Sequence, residues 1–411
     1  VNMRELGYRS GENHLHVGSI RLAPMLAAEG LDFGTSMTWW NGPDSDWCLP
    51  VPPGQGRSRF LEFSGTAIPT SVYDAEIEHG WGAAYFLHLP APMPIRSDPK
   101  RPNLEFVQHV NENGGLVFYQ GGWSRQVVVD ALLGLVHGVN VCNNNFHLHR
   151  FQPRSRYSNL LEVDGFPTYP DTDLGMMDMN TETYYRLLNW GLKLAAGAGS
   201  ATGFKQVPVG YNRAYVRAAR DITLPEFYDA WAQGNNFVTN GPMLFLKAGP
   251  SNRPGDTIAL PSEGGVVPLR VEVLSDQPLL TLELIVNGEV VADFPVSGKS
   301  KGLFEHQVEI DRGSWIAARC RARDTFLTDR ELAAYANGER EQPSRLRYAH
   351  TSPVYVTVGG KLAAVRKSIE EGLQMLDQFE HYTRETANPQ YREDMLAAVA
   401  EARTKLTARL E

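Results

Sequence analysis

Two histidines spaced two residues apart are the sharpest chemical signal in this chain. In Gly11-Glu12-Asn13-His14-Leu15-His16, an extended backbone puts His14 and His16 on the same side. Neutral imidazoles on one face can chelate a divalent metal. Two histidines satisfied by hydrogen bonds at a strand end would show the same pattern. A second cluster is Glu76-Ile77-Glu78-His79. Glu76 and Glu78 share a face by the period of two, so either can act as metal ligand or as general acid or base, with His79 beside them. The plainer reading is a solvated strand end.

A third cluster is Asn143-Asn144-Asn145-Phe146-His147-Leu148-His149-Arg150. Amides both donate and accept, which suits sugar hydroxyls or a positioned water. A capped loop would turn the same amides on its own backbone. His147 and His149 repeat the i, i+2 spacing. The run Gly199-Ser200-Ala201-Thr202-Gly203 is neither a nucleophile elbow nor a phosphate-cradling glycine pattern, and reads as a tight turn. Arg213, after Gly210-Tyr211-Asn212, can clamp a carboxylate or phosphate. Trp39, Trp40, Trp47, Trp81 and Trp123 all fall in the first 125 residues. Trp39-Trp40-Asn41 follows a predicted strand, where adjacent side chains face opposite ways, so one tryptophan at most faces a pocket. Tryptophan near amides and carboxylates lines sites for sugars or aromatic ligands. Core packing is the alternative for each.

These residues need elements to place them. Short apolar runs ending in polar clusters predict strands at Tyr8–His16, Leu31–Thr38, Tyr73–Glu78, Gly115–Gln120, Gly138–Asn143 and Lys193–Ala198. Helical stretches such as Ser124–Val136 and Thr181–Asn189 lie between them. Strands alternating with helices predict a parallel sheet or barrel over residues 1–237, with its pocket at the carboxyl ends of the strands. Over 238–359 the period becomes two: Leu269, Val271 and Val273, then Leu280, Leu282, Leu284 and Val286. Asn287-Gly288 signals a hairpin. An antiparallel β-sandwich is expected. Over 360–411 two stripes at helical spacing, Leu362 to Phe379 and Leu396 to Leu410, flank Asn388-Pro389. They predict a helical hairpin docked on its own chain.

The bulk properties exclude some classes. The net charge is −8 and no Lys/Arg block exceeds two residues, so no basic stripe for nucleic acid is present. No apolar run approaches the roughly 18 residues of a membrane span. Cys48, Cys142 and Cys320 form no disulfide framework and read as small buried residues. The chain opens at Val1 without an initiator Met, as a processed or trimmed chain would, and as a cloning choice would equally.

Together these motifs resemble the CehA/McbA-type metallohydrolase branch of the polymerase and histidinol phosphatase (PHP) superfamily. Tyr8–Val17 resembles its first motif, a strand ending in His-x-His. Glu76 and Glu78 resemble its third, which supplies a carboxylate. Ala195–Gly203 with Pro208–Val216 resembles its last. The resemblance implies an α/β fold: a distorted PHP-type (β/α)7 barrel, followed by the sandwich and the helical hairpin. It implies a metal-dependent hydrolase in a secreted or periplasmic setting. Three motifs depart from the family pattern. Met37-Thr38-Trp39-Trp40-Asn41 stands where Asp-His is usual, Gln120-Gly121-Gly122 where a His is usual, and Ala201-Thr202-Gly203 where an Asp and a His are usual. The expected centre is therefore reduced to one divalent ion, Zn or Mn, on His14, His16, Glu76 and His147. Glu78 would ligate or act as base, with His79 near it, and Arg213 would steady an anionic group. Trp39, Trp40, Asn41, Trp123, Asn144 and Asn145 would contact a small-molecule or carbohydrate substrate. Two other readings fit the same residues. One is a glycoside-cleaving enzyme that uses Glu76, Glu78 and His79 with little or no metal. The other is a non-catalytic carbohydrate-binding barrel.

Overall fold

The computed structural model describes residues 1–42, 56–122, 124–144, 146, 169, 173–204, 207–323, 325 and 346–410. It is a mixed α/β fold built on three sheets. The first has seven strands: β2 (Gly34–Trp40), β3 (Ser58–Phe63), β4 (Thr66–His79), β5 (Gly82–Leu87), β6 (Leu116–Gln120), β7 (Gly138–Cys142) and β8 (Ala195–Ala198). Their order is β2-β4-β5-β6-β7-β8, with β3 on the side of β4. The alternation of strands and helices predicts parallel pairing throughout, and the structure departs from it. β2/β4, β6/β7 and β7/β8 are parallel, but β4/β5 and β5/β6 are antiparallel. The cause is a tight turn at Gly80-Trp81, which pairs His79 with Gly82 and folds β5 back on β4.

The second sheet has nine strands, from both halves of the sequence. Its path is β1 (Tyr8–Gly11), β9 (Arg213–Arg217), β10 (Asn236–Thr239), β18 (Leu346–Thr351), β17 (Ser314–Arg323), β14 (Leu279–Val286) and β15 (Glu289–Asp293). β19 (Val354–Val358) joins β17, and β12 (Thr257–Leu260) joins β19. The third sheet is β11 (Met243–Ala248), β13 (Gly265–Leu274) and β16 (Lys301–Ile310), all antiparallel. Alternate residues of the second and third sheets, among them Leu244, Val271, Val273, Leu282, Leu284 and Ile316, share one apolar core. This is the sandwich that the period of two predicts. Asn287 and Gly288 take positive φ, 51° and 89°, in the β14–β15 hairpin.

The histidine-bearing segment is where the first expectation is corrected. Tyr8–His16 is not one strand. β1 stops at Gly11 and pairs antiparallel with β9, in the nine-stranded sheet. A Cβ at Gly11 would press on the Phe227 ring at 2.9 Å, which keeps that position small. The chain then leaves the sheet and runs as a strap between β2 and β8. On one side Leu15 O accepts from Met37 N at 3.1 Å. On the other, Asn13 N donates to Ala198 O at 3.0 Å, and His16 N to Thr202 O at 2.8 Å. The two outer strands of the seven-stranded sheet are thus tied through one segment.

Helices α1 (Ser19–Ala28), α2 (Leu104–Glu112), α3 (Val127–Leu132), α4 (Asp173–Asn189) and α5 (Leu224–Ala232) connect the strands. α6 (Arg366–Thr386) and α7 (Pro389–Thr407) form the expected C-terminal pair, broken where the Asn388 side chain accepts from Gln390 N. Their apolar stripes join the core of the seven-stranded sheet through Ile369, Leu376, Phe379, Val399 and Leu406. The Phe379 ring lies 6.0 Å from that of Trp81. Truncation of a buried phenylalanine typically costs about 3–5 kcal/mol. Phe379→Ala is therefore expected to lower unfolding free energy by about that much in a denaturant titration. A loss under roughly 1 kcal/mol would mean that the hairpin does not belong to this core.

Asp130 of α3 is fully buried and accepts from Tyr119 Oη at 2.6 Å and Gln126 Nε2 at 3.1 Å. Burial outweighs these bonds and pushes its pKa from 3.8 up to about 7. Between those values the folded chain keeps a proton that the unfolded chain has lost, so stability falls as pH rises through the window. Asp130→Asn should flatten the decline of melting temperature between about pH 4 and 8, by roughly 1.4 kcal/mol per pKa unit removed. An unchanged slope would show that Asp130 is ionised in the native state.

Candidate metal centre

Buried polar contacts of Glu12 and Asn13 fix the strap before any of its histidines is placed. The Glu12 carboxylate accepts from Ser200 N at 2.6 Å and from Gly210 N. Asn13 and Asn140 exchange two amide hydrogen bonds, at 2.7 and 2.8 Å, and neither residue is exposed. The backbone of 199–203 lies directly against the strap: a Cβ at Gly199 would overlap the His14 Cβ, and one at Gly203, where φ is 102°, would overlap His16 O. The Asn212 side chain closes the arrangement by donating to Asn143 O and Gly199 O, at 2.9 and 3.2 Å.

Held this way, His14 and His16 meet Glu76 of β4. His14 Nε2 lies 2.9 Å from His16 Nε2 and 3.1 Å from Glu76 Oε2. His16 Nε2 is 2.9 Å from the same carboxylate oxygen. The relative exposures are 3%, 6% and 2%, so water is largely excluded from all three. Burial raises the Glu76 pKa, but the two imidazoles outweigh it and hold the carboxyl down at about 2. Two imidazole nitrogens and a carboxylate this close require positive charge between them, as a proton on one nitrogen or as a cation. Metal–ligand bonds of about 2.1 Å give ligand-to-ligand edges of about 3.0–3.4 Å in octahedral or tetrahedral sites. The donor set fits such an ion, and the three residues could hold one. One feature differs from usual metal sites, where the second imidazole nitrogen donates to an outer partner. His16 Nδ1 has no hydrogen-bond partner among the described residues. Its ring is bounded instead by aromatic contacts.

Those contacts define the surroundings. The Tyr85 ring lies 4.4 Å from that of His14, and the Tyr85 hydroxyl donates to Gln120 Oε1. Trp40 is 5.4 Å from His16 in an edge-on contact, and Phe204 packs on both, 6.2 Å from His16 and 5.2 Å from Trp40. Phe204 is 40% exposed, so this aromatic pair forms the outer rim.

The predicted residues divide as follows. His14, His16 and Glu76 come together, and Trp40 stands beside them. Trp39 points the other way, into the core against Phe106 at 5.8 Å. Glu78 is outside the group of donors that converge within 4.8 Å. Asn41 works on the backbone: its side chain accepts from Glu78 N at 2.7 Å and donates to Glu78 O at 3.2 Å, extending β2 along β4. His79 falls on the opposite face of β4 from Glu76 by strand alternation. Arg213 binds Gly210 O and Glu29, 3.0 Å from its carbonyl, and so braces the loop that Glu12 holds. Asn144 is buried. Trp123, Asn145 and His147 lie outside the described residues. Sequence reasoning missed Glu12, Asn13, Asn140 and Tyr85. The two residues before His-x-His were the available signal, since a carboxylate and an amide beside paired histidines need buried partners.

Isothermal titration with Zn²⁺ or Mn²⁺ should show one ion per chain. Glu76→Gln should weaken it by at least about 100-fold, beyond the roughly 10–100-fold that an outer partner costs. Equal affinity in the variant would remove Glu76 from the site. No protein-family model matches the chain, and no curated protein matches it.

Proposed function

We propose that this chain is a hydrolase that works with a single divalent ion, Zn or Mn, held by His14 Nε2, His16 Nε2 and Glu76 Oε2. The observation that carries the reading is the convergence of these three buried donors within 4.8 Å. Three protein ligands, rather than four, are the number found where a metal keeps a position open for catalysis. Such an ion would lower the pKa of a water and polarise a carbonyl or phosphoryl oxygen. The chain's own contribution is positional. The Glu12 and Asn13 contacts keep both histidines in place, Tyr85, bonded to Gln120, borders His14, and Trp40 with Phe204 restricts water on the His16 side. The aromatic rim suits a substrate with a ring, such as a sugar or an aryl ester.

The seven-stranded sheet, with the strap bonded to both outer strands, supports reading this half as a distorted PHP-type barrel. The metal-free glycosidase reading has less behind it. Glu76 is held ionised by two imidazoles, which disqualifies it as a proton donor near neutral pH.

The test is turnover of a panel of carboxyl esters, phosphoesters and glycosides by protein loaded with Zn²⁺ or Mn²⁺. Activity should disappear in EDTA, return on adding the ion, and be lost in His16→Ala. Turnover that persists in EDTA, or none on any substrate with metal bound, would overturn the proposal.

A further inference from the structure

The outer face of the three-stranded sheet carries a second feature, independent of the metal centre. Lys247 of β11 stands directly opposite Arg270 of β13 in the antiparallel register. Like charges directly opposed on neighbouring strands destabilise a sheet. Both side chains are exposed, and neither forms an ion pair among the described residues. Glu305 of β16 is the register partner of Arg270 on its other side, yet it makes no ion pair with it. The two cations line a cavity of about 590 Å³ together with Tyr8, Phe245, Arg253 and Glu272. That volume is within the roughly 300–1,000 Å³ usual for small-molecule sites. Three cations against one carboxylate make the wall positive on a chain whose net charge is −8. The Tyr8 ring packs edge-on against Phe245 at 5.6 Å, so one wall is aromatic. The Arg253 charge acts on the Tyr8 hydroxyl, while Lys247 and Arg270 enter no ion pair among the described residues.

We propose that this cavity binds a small organic anion, with a carboxylate or phosphate head between Lys247 and Arg270 and a compact apolar body against Tyr8 and Phe245. The inference does not rest on the metal-dependent reading. Charge directs the head, because a guanidinium and an ammonium side by side are relieved by one shared anion. The aromatic pair selects a ring-bearing body.

Ligand-observed NMR titration of the full chain tests this with benzoate, phenyl phosphate and, as a neutral control, benzyl alcohol. At least one anion should bind saturably and weaken on raising salt from about 0.05 to 0.5 M, and the two anion arms tell carboxylate from phosphate recognition. Lys247→Ser and Arg270→Ser should each weaken it at least about 5-fold, or roughly 1 kcal/mol. Metal binding by the same variants, read by calorimetry, should be unchanged. Arg270→Lys should recover part of the affinity, which separates loss of charge from loss of fold. Equal binding of benzyl alcohol, no saturation by either anion, or full affinity in the Lys247→Ser/Arg270→Ser double variant would overturn the proposal.

Discussion

Everything at the candidate centre depends on how the strap that follows β1 is held. Two imidazoles and a carboxylate cannot sit within about 3 Å of one another, out of water, unless their backbones are fixed independently of the charges they carry. Here the strap is hydrogen-bonded to β2 on one side and to the end of β8 on the other. The Glu12 carboxylate and the Asn13–Asn140 amide pair lock it in register. Each of these groups would be costly to bury alone, by roughly 1–3 kcal/mol for an unpaired amide. Paired, they leave the strap no alternative position. A one-residue slip would turn both histidines outward and bring Leu15 into the polar space, while Leu15 is fully buried in an apolar cluster with Leu22 and Leu26. Apolar packing on one face therefore enforces the polar geometry on the other.

Much of this was legible in the sequence, and the exceptions have physical causes. The i, i+2 spacing of His14 and His16 identified a shared face because that follows from any extended backbone. The same period placed Glu76 and Glu78 together but could not choose between them. The choice is made by Asn41, just after β2, which takes both backbone groups of Glu78, and by the strap, which reaches the level of Glu76. Neither is a local property. β5 is hard to read as a strand because its turn, Gly80-Trp81, lacks an Asn-Gly type signal and buries its tryptophan completely. The apolar sequence therefore does not mark a chain reversal. The sandwich and the helical pair were readable since each buries one face only, and a single buried face imprints its period on the residues.

The end of β1 is unmarked in the sequence for a related reason. The residues from Tyr8 to His16 are buried throughout. Nothing in them shows that the hydrogen-bonding partner changes at Gly11, from β9 to the β2 and β8 edges. That change joins the sheet of the sandwich to the candidate centre through a few covalently continuous residues.

Charge balance decides what such a centre can do. With neutral imidazoles and an ionised Glu76, the group carries one negative charge in a site nearly closed to water. A buried unpaired carboxylate is expensive, and one proton shared among the three groups only neutralises it. A divalent cation reverses the sign to +1, with coordination positions left that the protein does not fill. The same ion that stabilises the buried carboxylate would then attract an anionic or strongly polarised substrate oxygen. Trp40, Gln120 and Thr202, on the segments around the three donors, carry uncharged side chains. A second ion would find no carboxylate or imidazole at those three positions to offset its charge.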